Sequence, residues 1–306
     1  ISSLPDDLEF GSLNLATTKV SKLPPKNRYS GHLSIVGTPI SDLPEGLVVE
    51  GSLWLRASDL KALPTGLVVR GDLFLSDKIE RLPEDLVVDG DLVLCPGSVL
   101  ELPRRLRVGR NLTSVEAVIS AWPEELHVGR DLRMDRSPMT AVTGKIVIGG
   151  CLEMQGSKIS KLPEGIVIGG DLRAAGAALA ALPPALSAGG SIELSSTPVT
   201  DIDGITRVHG NLSVDRTDVV TLPDGLRVDG NLNLSNTRIT ALPDGLTVGG
   251  DLYLNRTPVT SLPESIPDDA PVYTYDTGEI TAGEFRCMHG PSATNASLGK
   301  SRRIGG

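Results

Sequence analysis

The side chains able to do chemistry are few, and their spacing does not suit it. His32, His127, His209 and His289 are scattered through 306 residues, and each reads as a surface residue rather than a base or ligand. Cys95, Cys151 and Cys287 are odd in number, lie far apart and have no CxxC spacing, which argues against a disulfide framework or a zinc site. Carboxylates do recur: Glu45, Glu84, Glu124, Glu164, Asp224 and Asp244 each follow a proline. A solvated turn explains that placement better than acid–base catalysis. No GxSxG, HExxH, phosphate-binding loop or dinucleotide fingerprint occurs. The sequence therefore predicts a non-enzyme with no cofactor, no metal and no small-molecule substrate.

The elements carrying these residues repeat. Aligned on a Leu-Pro pair, the chain divides into thirteen units beginning at Leu4, Leu23, Leu43, Leu63, Leu82, Leu102, Trp122, Val142, Leu162, Leu182, Ile202, Leu222 and Leu242. The period is 20 residues, with the units at Leu4 and Leu63 one residue short. A period in this range marks a solenoid, in which each unit buries its apolar face only against its neighbours.

Six positions per unit are apolar almost throughout, as in Leu43, Leu47, Val49, Leu53, Leu55 and Leu60, or Leu222, Leu226, Val228, Leu232, Leu234 and Ile239. The middle ones are spaced by two, which is extended backbone with alternate side chains facing inward. A glycine interrupts that run (Gly51, Gly230) and is expected to point inward at a bend with positive φ. Proline at most corners (Pro24, Pro44, Pro64, Pro83, Pro223, Pro243) excludes a regular helix there. The predicted fold is an all-β-rich solenoid, a right-handed coil of about 13 units with parallel strands and little or no α-helix. Its divisions are a solenoid over 1–263, a C-terminal cap over 264–285 in which Tyr273 and Tyr275 cover the last layer, and a flexible tail over 286–306.

The stretch LNLSNTRITALP resembles the leucine-rich-repeat core LxLxxNxIxxLP, and the resemblance extends from Leu4 to about Pro263. The 20-residue unit is most similar to the short LP-containing repeats of bacterial effector proteins. That resemblance implies a parallel strand from each unit lining one face, a protein partner, and secretion or delivery into a host cell. One departure is systematic: the family's Asn is Thr or Ser at Thr18, Thr38, Ser58, Ser137, Ser157, Thr197, Thr217, Thr237 and Thr257. A hydroxyl ladder would satisfy turn carbonyls less completely than an amide. A β-solenoid without leucine-rich-repeat kinship is the alternative. Some such effectors continue into a ubiquitin ligase with a Cys-x-Asp motif, but Cys287 sits in CMHG and lacks it.

On that frame the residue between the two strand leucines faces solvent: Trp54, Phe74, Val93, Thr113, Arg133, Glu153, Arg173, Glu193, Ser213, Asn233 and Tyr253 in turn. Two positions further on come Arg56, Ser76, Asp135, Gln155, Asp215 and Asn255. The candidate binding residues are Trp54, Phe74, Arg56, Arg133, Glu153, Arg173 and Tyr253. Two adjacent outward rings in a chain with 3% aromatics suit a binding hot spot. Arg133, Glu153, Arg173 and Glu193 alternate in sign and could pair across strands. Arg104, Arg105, Arg107, Arg110, Arg130 and Arg136 form a basic cluster with two readings, a solvated face or an acidic partner.

Composition bounds the function. A net charge of −9 disfavours a general nucleic-acid binder. No apolar run is long enough for a membrane span. The chain begins at Ile1 and enters a repeat almost at once, which reads as an excised or processed piece. The expected function is macromolecular binding, first of all to a protein, through the strand-lined face. The alternative is a structural or surface solenoid whose threonine rows bind glycan or cell wall.

Overall fold

The computed structural model describes residue 4 and residues 11–24, 27–184 and 186–290. The chain is a β-solenoid of about 13 turns with parallel strands, and its sole helix among the described residues is Ala282–His289. It divides into two compact units, the first spanning 1–179 with 183–188, the second 180–182 with 189–306.

In the first unit, nine two-residue strands from Leu13–Asn14 to Leu172–Arg173 each come from one turn of the coil. They pair in parallel with leucine on leucine, as in Leu33↔Leu53 and Leu53↔Leu73. Leu73 pairs with Leu92, so the short unit loses its residue without shifting register. A second sheet of nine strands, from Arg28–Tyr29 to Ser187–Ala188, forms the other wall of the coil. In the second unit, Ile192–Glu193, Leu212–Ser213, Leu232–Asn233 and Leu252–Tyr253 continue the same pattern. Pro271–Thr274 then adds in parallel, and Gly278–Thr281 turns back antiparallel against it.

The apolar positions make the core. Leu47, Val49, Leu53, Leu55 and Leu60 are all fully buried, and so are their counterparts in most turns. The corner leucine is less uniform, since Leu222 is buried while Leu43 is only half-buried. Each buried Leu or Val contributes about 1.5–3 kcal/mol, gained only when the neighbouring turn covers it.

The interposed glycines work differently from expectation. Gly51 and Gly230 do not have positive φ. A Cβ on Gly71 would lie 2.6 Å from the carbonyl carbon of Gly51, so glycine is required by the backbone of the preceding turn. Left-handed backbone occurs instead at corner glycines such as Gly46 (φ 64°) and just before the Thr/Ser row. Among the described residues, seven non-glycine residues there, Ala57, Arg136 and Arg256 included, and Glu116 before Ala117 hold φ between 53° and 59°.

The Thr row explains how those turns are held. The hydroxyls of Thr38, Thr197, Thr217 and Thr237 each donate to the carbonyl three residues earlier at 2.7 Å. The backbone N–H of Thr38 donates to the same Ile35 carbonyl. Threonine therefore closes its own turn and does not bridge to the next.

Bridging between turns falls to a different position, the one just before the first strand leucine. In the first unit Ser12, His32, Ser52, Asp72, Asp91, Asn111 and Asp131 each accept the backbone N–H of the equivalent residue one turn later, at 2.8–3.1 Å. The sulfur of Cys151 takes the N–H of Asp171 at 3.4 Å. In the second unit Ser191, Asn211 and Asn231 do the same. Any acceptor suffices, which is why no consensus letter marks the row.

At the C-terminal end, Val272, Ala282 and Phe285 are buried and close the last turn. Tyr275 is 65% exposed, with the Arg256 guanidinium of the last turn 4.5 Å from its ring centroid, and Tyr273 stacks on Tyr253. The expected cap boundary at 285 falls inside the helix. A capping box between Thr281 and Glu284 starts that helix, and Arg286 donates to the carbonyls of Pro263 and Ile266. Of the expected tail, residues 291–306 lie outside the described residues.

Candidate binding surface

The leucine-on-leucine register puts each intervening side chain beside its equivalent one turn away. Trp54 therefore pairs with Phe74, and their rings stack with centroids 5.7 Å apart and planes 9° apart. His32, from the turn before, lies 5.4 Å from the indole on a tilted plane. The Arg56 guanidinium sits 5.7 Å from the Phe74 centroid. The stack follows the direction in which the turns succeed one another. Ring faces are thus taken up by neighbours, and ring edges meet solvent. Such a ridge offers apolar edge and a cation, not the open ring face that a sugar would stack upon.

Further along the same sheet, Arg133, Glu153 and Arg173 form the alternating row. Glu153 lies 3.2 Å from Arg133 and 3.0 Å from Arg173. Each arginine also reaches the carboxylate two residues before it, Asp131 at 3.2 Å and Asp171 at 3.1 Å. The row is neutralised within itself. Ser76, expected outside, is buried, because the turn that lost a residue draws it into the seat that Ser58 fills in the previous turn.

Tyr253 belongs to the second unit, where it stacks on Tyr273 with centroids 4.7 Å apart. Its hydroxyl donates to Asp251 at 3.0 Å, which raises its pKa. Glu279 accepts from the Tyr273 hydroxyl and pushes that group up to about 12. The structure thus brings Trp54, Phe74 and Arg56 together, and separately Arg133, Glu153 and Arg173. Sequence reasoning missed His32, Tyr273, Asp131 and Asp171 as members of these clusters. An offset of 20 from each chosen residue would have found Tyr273, and an offset of two the aspartates.

The Thr rows expected to offer a polar surface are turned inward: Thr38, Thr197, Thr217 and Thr237 are all buried. Cys95 and Cys151 are half-buried, Cys287 is exposed, and burial raises the Cys95 thiol pKa. Among the described residues no group of three or more His, Cys, Asp and Glu is arranged to hold a metal, and no helix is long and apolar enough to cross a membrane. No protein-family model and no curated protein matches the chain.

Proposed function

We propose that this chain binds another protein through the strand-lined face of its first unit, anchored on the Trp54–Phe74 ridge. The observation that carries it is the contiguous set His32, Trp54, Phe74 and Arg56 in a chain so poor in aromatics. Trp and Arg are enriched at hot spots, where large side chains sit in well-packed, desolvated pockets at the centre of an interface. Short strands of regular register hold those side chains rigidly, which lowers the cost of association. The resemblance to LP-containing repeats supports placing this surface in the recognition region of a bacterial effector.

The test is selection of binders from a displayed library of random peptides on the immobilised protein, followed by interferometry on the enriched clones. Trp54→Ala with Phe74→Ala should weaken them by about ten-fold or more while the thermal melt stays unchanged. Enriched clones that bind the double variant as well as the parent would remove the ridge from the interface.

A further inference from the structure

The second sheet of the first unit changes character at the three turns holding the basic cluster. Elsewhere its strands are two residues long, and in the turns of Gly46, Gly66 and Gly165 they begin after a corner glycine with positive φ. Arg105, Glu125 and Lys145 stand in that glycine's place. They stay extended, and the strands lengthen to Arg105–Val108, Glu125–Val128 and Lys145–Ile148. Register aligns Arg105 with Glu125 and Lys145, and Arg107 with His127 and Val147. The outcome is a locally broad patch over a shallow depression of about 270 Å³, walled by these side chains.

Its charge is unspent. Arg105 lies 3.7 Å from Glu125, but Arg107 and Lys145 have no ion pair or side-chain hydrogen bond among the described residues. Arg207 and Arg227 occupy the same place in the repeat as Arg107, and both are held by Asp229, at 2.9 and 2.8 Å. The residue two beyond Arg107 is Gly109, where a Cβ would collide with the Asp89 carbonyl oxygen, so a carboxylate there would have to push the preceding turn away. Residues 102–150 carry eight Lys and Arg against five Asp and Glu, a net +3 within a chain of net −9.

We propose that this patch docks an extended acidic peptide segment, with Arg107 and Lys145 each taking a carboxylate. The two cations lie two strands apart and two residues out of register, about 12 Å corner to corner, which matches acidic residues four positions apart, on one face of an extended peptide at about 3.4 Å per residue. Exposed Val87 and Val167 on the flanking strands, and Val147 two residues beyond Lys145, give apolar contact to the intervening side chains. A nucleic-acid or polyphosphate chain suits the patch less well. Glu125 sits in the middle of the row and would face a continuous line of phosphates, and the rest of the chain is strongly acidic.

Fluorescence anisotropy with three probes tests this. They are a labelled decapeptide with Glu at every fourth position between Val and Thr, its Gln counterpart, and a polyphosphate of equal charge. The Glu peptide should bind saturably and the Gln peptide should not. Arg107→Glu with Lys145→Glu should weaken binding by about ten-fold or more, while Lys158→Glu leaves it unchanged. If the reversed variant melts early, Arg107→Gln with Lys145→Gln serves instead and should lose binding in the same direction. No saturable binding of the Glu peptide, equal binding of the Gln peptide, indifference to the variants, or tighter binding of polyphosphate would each overturn the proposal. So would a patch whose charge reversal abolishes self-association in sedimentation rather than peptide binding.

Discussion

Arg107 in the first unit and Arg227 in the second fill the same position of the repeat and end in different electrostatic states. Arg227 and its neighbour Arg207 share Asp229, whose carboxyl they hold down to about 2 through side-chain bonds, the one from Arg227 the stronger. Arg107 has Gly109 two residues on, and Gly109 exists because the Asp89 carbonyl leaves no room for a Cβ. The difference teaches that charge in this solenoid is set by backbone clearance between turns as much as by residue choice. The strand-lined face of the first unit makes the same point, since Arg133 and Arg173 sit where carboxylates can reach them and are neutralised.

The strongest way to break the contrast is Gly109→Ala. Its methyl must push the preceding turn away, and overpacking of this kind costs about 3 kcal/mol. Urea denaturation should show a large drop in midpoint, and acidic-peptide binding should fall with it. A variant as stable as the parent would mean the glycine is not what keeps a carboxylate from Arg107.

A control of intermediate size uses the polar row shared by both regions. Asn111 accepts the Asp131 N–H at 3.0 Å and Asn231 accepts the Asp251 N–H at 2.9 Å. Asn111→Ala and Asn231→Ala should each cost about 1–2 kcal/mol, since each leaves a partly buried donor unsatisfied. Similar losses in the two variants, read from denaturation curves, would confine the difference between the regions to their charges. A loss in only one would show that the turns themselves differ in strength.

The smallest effect, and the sharpest for the comparison, is expected of Asp229→Asn. The folded-state pKa of Asp229, about 2, lies below its ordinary 3.8, so the cluster's contribution is complete above about pH 4 and disappears as the pH falls toward 2. Melting curves of the Asn variant should lack that part of the acid dependence. Releasing Arg207 and Arg227 should also give the second unit a weak affinity for the same acidic peptide. An unchanged acid profile together with no gain in binding would show that the Arg–Asp contacts do not control either property.

Much of the architecture was legible in the sequence. Parallel in-register pairing turns a spatial repeat into a sequence period, so Leu53, Leu73 and their equivalents reveal both the strands and their partners. Alternation by two showed which side chains leave the core, and Trp54 beside Phe74 followed directly. The Thr row was visible, but its task was not. Whether a hydroxyl bonds within its own turn or to the next depends on a rotamer that a sequence does not carry. The turn-bridging row was hidden for another reason: Ser52, Asp72, Asn111 and Cys151 share only the ability to accept a hydrogen bond.

By itself, then, the sequence determined the period, the coil, the six apolar positions and the outward rings, because burial between identical turns forces those features into a repeating pattern. Only the tertiary structure decided which charges are spent. It set Glu153 between two arginines, closed the Asp229 clamp, and left Arg107 and Lys145 open. Those outcomes rest on the spacing between successive turns, and a one-dimensional pattern cannot express such distances.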